Sequence, residues 1–224
     1  MTIAKKFTSP ALPLPAQIYD VMSENDKSRV LRLYFNLLDR YLNDLTTIMN
    51  GGGPGLGIVL PHIAASDSTD QRTTNDTATV VNFDTLESGF GWTLNSPGSA
   101  TADIAGVYTI RYSLQYANTD NAQHTVTVWL QNNAVDIVNS ATSFSVPARK
   151  SVSIPGFTTA YSEVTFEVVV GDEIELYWAT DQANIVSPAT DGIFMFHDAA
   201  QVSPFARPAI PSAIGSIVWV SAPT

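Results

Sequence analysis

The sequence predicts a mainly β fold, antiparallel strands around one core, preceded by an extended N-terminal arm and one α-helix. The strongest observation is alternation. Tyr108, Ile110, Tyr112, Leu114 and Tyr116 recur at every second position, as a strand with one buried face requires. A second stretch repeats the pattern on both sides of a turn: Phe166, Val168 and Val170 alternate up to Gly171-Asp172, and Ile174, Leu176 and Trp178 alternate beyond it. Composition agrees, because only 14% of residues are charged against 45% hydrophobic, Ala among them, and Thr, Ser and Asn fill much of the remainder.

The order and spacing of these segments resemble the C1q/TNF-type jelly roll. Ala105-Gly106-Val107-Tyr108 opens a strand about sixty residues before Gly171-Asp172-Glu173-Ile174-Glu175-Leu176. Between and before them, Phe83-Asp84-Thr85 fits a first strand, Thr101-Ala102-Asp103-Ile104 leads into the glycine, and Val126 to Asn133 fits a strand and turn. The resemblance covers roughly residues 76–198 and implies an antiparallel TNF/C1q-like sandwich that trimerises through one sheet. Beyond residue 198 the family pattern ends and the chain continues.

In chain order, residues 1–22 carry Pro10, Pro13 and Pro15 among Phe7, Leu12, Leu14, Ile18 and Tyr19, too few apolar groups for a core. Such a Pro-rich segment is an extended arm that either stays disordered or docks on another molecule, and its apolar content favours docking. Ser23-Glu24-Asn25-Asp26 has the form of a capping box with Asp in the last position, so a helix is expected over residues 23–49. On it Leu31, Tyr34, Leu38, Tyr41, Leu45 and Ile48 follow a heptad spacing, widened by Val30 and Leu37 on one flank and Phe35, Leu42 and Met49 on the other. The stripe suits either packing on the chain's own β-domain or a parallel bundle of three chains. The glycine-rich neck at residues 50–57 favours the bundle, since it would part the helix from an intramolecular core.

The head is expected over residues 58–198. Ile58 to Pro61 reads as a strand-like lead-in and the Ser/Thr/Asp-rich segment after it as an exposed loop. Strands are expected at about 78–84, 90–94, 99–104, 106–117, 123–131, 134–145, 156–170, 172–179 and 190–197. After Pro204, Pro208 and Pro211, residues 199–224 read as a C-terminal extension whose last apolar run, Ile214 to Val220, forms a strand at a sheet edge or on a neighbouring subunit.

Charge and motif content narrow the function. The net charge of −10 is uneven: residues 1–50 hold six basic residues against five acidic ones, whereas residues 51–224 hold five against sixteen. So acidic a head repels phosphate, and nucleic acid is not an expected partner. No apolar run reaches the ~18 residues of a membrane span, and Lys5-Lys6 is followed by prolines rather than a secretory apolar segment. Cysteine is absent, which removes disulfides, thiolate metal sites and thiol nucleophiles.

His62, His124 and His197 are isolated, with no zinc-binding spacing. Glu173 and Glu175 share a strand face, as glycosidase carboxylates can, but an exposed strand of an acidic protein commonly looks the same. Asp67, Asp70, Asp120, Asp181 and Asp191 are loop carboxylates that calcium could use, without EF-hand spacing. Among the aromatic residues, Tyr108, Tyr112, Tyr116, Trp129, Tyr177 and Trp178 suit a core or interface better than a glycan site, and Trp92 and Trp129 are the ones expected to be exposed. No cofactor, metal or catalytic residue is expected.

An arm, a trimeric helix, a neck and a TNF-like head together resemble fibres and decoration proteins of tailed-bacteriophage virions. The segment Val30-Leu31-Arg32-Leu33-Tyr34-Phe35-Asn36-Leu37-Leu38-Asp39-Arg40 is similar to one in phage structural proteins. The resemblance implies a homotrimeric capsid decoration, cement or head-fibre protein on the particle surface, anchored to capsid or other virion proteins by Phe7, Pro10, Leu12, Pro13, Leu14, Pro15, Ile18 and Tyr19. A tail fibre whose loops bind a host glycan or protein receptor is the alternative. A stalk of about 25 helical residues spans only ~37 Å, which favours the decoration reading.

Overall fold

The structure, a computed structural model, describes residues 31–43, 59–95, 97–187 and 189–223. The anchoring arm, the capping box, the neck, Leu45 and Ile48 lie outside the described residues. The chain divides into two units, residues 1–59 and 60–224. In the first, residues 31–43 form an α-helix. Tyr34, Leu38 and Tyr41 are its partly buried positions, whereas Leu31, Leu33, Phe35, Leu37 and Leu42 are exposed. No described helix is long and apolar enough to cross a membrane.

The second unit is an antiparallel sandwich. Its early strands are β1 (His62–Asp67), β2 (Thr79–Val80), β3 (Thr85–Phe90), β4 (Trp92–Asn95) and β5 (Ser99–Ala102). The long middle strands follow: β6 (Gly106–Asn118), β7 (His124–Asn132), the short β8 (Val135–Asp136), β9 (Thr142–Val146), β10 (Gly156–Val168) and β11 (Glu173–Thr180). The chain closes with β12 (Ile185–Val186), β13 (Ala189–Thr190), β14 (Ile193–Met195) and β15 (Ala213–Ser221).

One sheet runs β10-β6-β15-β1-β3, with β14 continuing the line of β15 along β6. The other runs β4-β5-β11-β7-β8, with β2 on β11 and β9 on β7, and β12 and β13 form a small separate ribbon. Two antiparallel sheets linked by connections that cross between them make a jelly roll. Core residues come from both: Tyr108, Tyr112, Leu114 and Tyr116 from β6 meet Val126, Val128, Leu130, Leu176 and Trp178 from the facing sheet. Trp92 meets Tyr108 edge to face at 5.0 Å, and Tyr116 packs on Trp178 at 5.6 Å.

Two expectations are overturned at the chain's ends. The segment read as an exposed loop after Pro61 is strand β1, with Ile63, Ala65, Ser66 and Asp67 buried. The apolar run read as an edge or neighbour-pairing strand is β15, which lies between β6 and β1 in the middle of its sheet. Both strands are rich in small residues, and their burial comes from pairing with segments distant in sequence. Gly215 marks how close the packing is, because a Cβ there would sit 3.0 Å from the Phe83 ring.

Gly171, at φ 89°, makes the turn between β10 and β11 in a backbone region that side chains rarely adopt. Asp172 fastens it. Its carboxylate accepts from Val169 N at 2.9 Å, Asn132 Nδ2 at 3.0 Å and Asn133 Nδ2 at 2.9 Å. Burial pushes this carboxyl's pKa up, but the three hydrogen bonds outweigh burial and hold it below its ordinary 3.8. A depressed folded-state pKa stabilises the protein above the unfolded value and loses that contribution as pH falls through the folded one. Asp172→Ala is therefore expected to cost about 2 kcal/mol at pH 7 in urea unfolding, and Asp172→Asn to lose part of the wild type's stability decline below about pH 4.

Candidate subunit-contact face

The outward face of the β10-β6-β15-β1-β3 sheet holds few charges and many small or apolar groups. Alternation along β6 turns Thr109, Arg111 and Ser113 away from the core, opposite the tyrosines. The register then places Tyr161, Ser113, Ile214 and Ser66 in one row across the sheet, and Glu163, Arg111, Ser216, Ala64 and Ser88 in the next. A third row reads Thr165, Thr109, Val218, His62 and Phe90.

Tyr161 is 58% exposed, Ile214 47%, Phe90 47% and Val218 38%, so bulky apolar groups stand above a floor of serine and alanine. Arg111 and Glu163 pair with each other at 2.8 Å. His62 Nδ1 donates to Leu60 O, and its Nε2 is hydrogen-bonded to Ser88 Oγ, each at 2.9 Å. A face whose one arginine is already paired, and whose centre carries Ile214, Ser216 and Val218, is suited to close contact with another protein surface.

Of the histidines and carboxylates singled out for chemistry, the structure brings together only the side chains of His124, Asp120 and Asp181 among the described residues. His62 lies on this face, whereas His124 stands between Asp120 Oδ2 at 2.8 Å and Asp181 Oδ2 at 3.4 Å, at the end of the sandwich where β7 begins. His197 contributes its backbone N–H to Asp70 Oδ1 at 3.0 Å. Glu173 accepts from Ser99 Oγ and Glu175 from the Tyr177 hydroxyl. Among the described residues no group of three His, Asp or Glu side chains could hold a metal ion.

The loop carboxylates are engaged by the protein itself. Asp67 is buried and accepts from Thr69 N at 2.7 Å, Asp181 from Thr125 N at 2.9 Å, and Asp191 pairs with Arg149 at 2.9 Å. A hydrogen bond with His124 holds the Asp120 carboxyl below its usual value. Of the aromatic residues, Tyr108, Tyr112, Tyr116 and Trp178 are core. Trp92, expected to be exposed, is 5% exposed because β4 folds it onto Tyr108. Trp129 is partly exposed on the outward side of the other sheet.

Sequence reasoning missed this candidate face. Its centre is β15, which had been set apart as an extension, although the spacing of Ile214, Ser216 and Val218 was the usable signal.

Among solved structures, that of Eiger TNF from S. frugiperda is similar to this chain, at 14% identity and a TM-score of 0.44 over 74% of this chain and 95% of that chain. No family model and no curated protein matches the sequence. The jelly-roll assignment stands on the strand order and register described above.

With its loop carboxylates already held by backbone and side-chain donors, the protein is expected to keep its thermal midpoint under prolonged chelation. A drop of more than about 5 °C on EDTA treatment, measured by calorimetry, would reveal a structural ion.

Proposed function

We propose that the protein is a homotrimeric structural component of a tailed-bacteriophage virion, a capsid decoration, cement or head-fibre protein without catalytic activity. The observation that carries the trimer is the outward face centred on Ile214, Ser216 and Val218, whose arginine, Arg111, is paired with Glu163 and whose bulky groups Tyr161, Phe90, Ile214 and Val218 stand exposed. The helix supports it through Leu31 of the heptad stripe and Phe35, Leu37 and Leu42 on its flanks, apolar side chains left exposed within a single chain, while Tyr34, Leu38 and Tyr41 of the stripe are partly buried. The virion location rests on the similarity of the Val30 to Arg40 segment to phage structural proteins and on the Pro-rich, apolar arm.

Within the head, β1 and β15 bring Pro61 and Ser221 to the same end of the sandwich, so the N-terminal region joins the head there. The loops around Asp120, Arg149 and Asp191 lie at the opposite end. There Val152 is 89% exposed, and Val202 and Phe205, 89% and 65% exposed, sit on the excursion closed by the Asp198–Ile210 and Gln201–Arg207 bridges. Apolar loop tips of this kind favour, as the second reading, a tail-fibre or receptor-binding role.

Light scattering at micromolar concentration is expected to give three subunits. Ile214→Arg, at an outward position, should leave the fold intact and reduce the mass to one subunit, because three guanidinium groups would converge on one surface. A wild-type mass of one or two subunits would refute the trimer.

Attachment is tested separately. Protein lacking residues 1–22 is expected to remain trimeric yet fail to bind particles assembled without it, as judged by co-sedimentation. Full binding by that truncated trimer would overturn anchoring by the arm. Inhibition of virus adsorption by the isolated head, residues 58–224, would place the receptor-binding reading first.

A further inference from the structure

Trp129 of β7 and Tyr177 of β11 face each other across the second sheet, on the side turned away from the core. Their ring centroids are 5.9 Å apart, their planes lie 24° from parallel, and both side chains are partly exposed. Paired aromatic residues of a sandwich usually belong inside it, as Trp178, next to Tyr177 on β11, does against Tyr116 of the facing sheet.

The polar atoms of the pair are held within the surface. Trp129 Nε1 donates to Asp136 Oδ1 at 2.9 Å, and Gln131 Nε2 donates to the same oxygen at 2.8 Å. The Tyr177 hydroxyl donates to Glu175 Oε2 at 3.3 Å. Burial first, and then the charges of Glu175, Asp136 and Glu173, raise the Tyr177 pKa, so its hydroxyl stays protonated and these carboxylates all act on the same spot. On one side the next row is Gln131 and Glu175; on the other it is the smaller Thr127 and Ala179, and beyond Tyr177 the row continues into Val80 of β2. Among the described residues none of Asp136, Glu173 and Glu175 is paired with a basic group.

We propose that this face is a saccharide-binding platform: the C–H-rich face of a neutral pyranose lies on Trp129 and Tyr177, and the carboxylates of Asp136 and Glu175 accept its hydroxyl groups. Charged acceptors make the stronger hydrogen bonds to hydroxyl donors. The same carboxylates repel sialic and uronic acids and phosphorylated sugars. A cationic ligand would be served by rings set as the walls of a cage, whereas near-parallel rings offer a flat seat. The inference is independent of the trimer and of the virion, since every group in it comes from one chain.

The test is saturation-transfer NMR of the full-length protein with oligomers of glucose, galactose, mannose and N-acetylglucosamine, and with sialyllactose and choline as controls. At least one neutral oligosaccharide is expected to receive saturation at its ring C–H protons, with sialyllactose and choline silent. Trp129→Ala and Tyr177→Ala should each weaken that binding at least about tenfold, while Trp129→Phe retains most of it. Ala179→Arg, which introduces a long side chain beside the rings without removing either, provides a blocking variant if the alanine variants misfold. Absence of binding to every neutral oligosaccharide at about 10 mM would overturn the proposal. So would binding unchanged in all of these variants, or preference for choline. A variant that loses the sugar and keeps the wild-type mass separates this site from the subunit contact.

Discussion

The insertion of β15 between β6 and β1 is the pairing on which the head depends. Residues Ala213–Ser221 bond to Leu114 through Val107 on one side and to His62 through Asp67 on the other, so the sheet joins the first, middle and last thirds of the domain. Without β15, β1 and β3 would have no connection to β6, and Ile217 and Ala213 would leave the core open above Ile110 and Leu114. Such a topology is dominated by contacts distant in sequence, and its loop-closure cost falls on the final strand. Folding of the head cannot be complete until its last dozen residues are in place.

The same pairing explains how polar segments came to be buried. Ser212, at the start of β15, is fully buried; its N–H donates to Asp67 O at 2.9 Å and its hydroxyl lies 3.3 Å from Asp67 Oδ1. Gln71 reaches across to Asn82, accepting from its N–H at 2.8 Å and donating to its carbonyl at 3.0 Å. Asn118 closes the far end of β6 by donating to Ala122 O at 2.8 Å, while Tyr108 closes the near end by donating to Ile104 O at 2.8 Å. Buried polar groups of this kind are satisfied by geometry that only the finished fold supplies.

That dependence sets what was legible in the sequence. Strands β6, β10 and β11 were readable to within two residues, because each carries a long alternation of bulky and polar groups whose period needs no partner to be seen. The expected strand at 134–145 is instead β8 and β9, parted where Asn139 takes a positive φ and Ser140 is buried, with its hydroxyl accepting from Leu130 N. β1 was hidden because His-Ile-Ala-Ala-Ser-Asp has the composition of a loop, whereas β15 was read as a strand and only its place between β6 and β1, fixed by partners distant in sequence, was not. Of the candidate sites, the aromatic core was legible and the outward rows were not. A row consists of residues from up to five strands, and its membership is fixed by register rather than by any local spacing.

Register also decides which face of the sandwich can meet a second copy. On the β11-β7 face it clusters Glu173, Glu175 and Asp136 near Tyr177, and two such surfaces pressed together would bring like charges into a desolvated contact without cations to offset them. On the β6-β15 face it places Arg111 against Glu163 beside serine, alanine and valine, with Glu167 and Glu87 toward the outer strands β10 and β3, so that contact at its centre removes one neutralised pair and apolar surface from water. Association through the β6-β15 face therefore carries the smaller electrostatic penalty. It would also leave the acidic aromatic face, on the other sheet, in solvent.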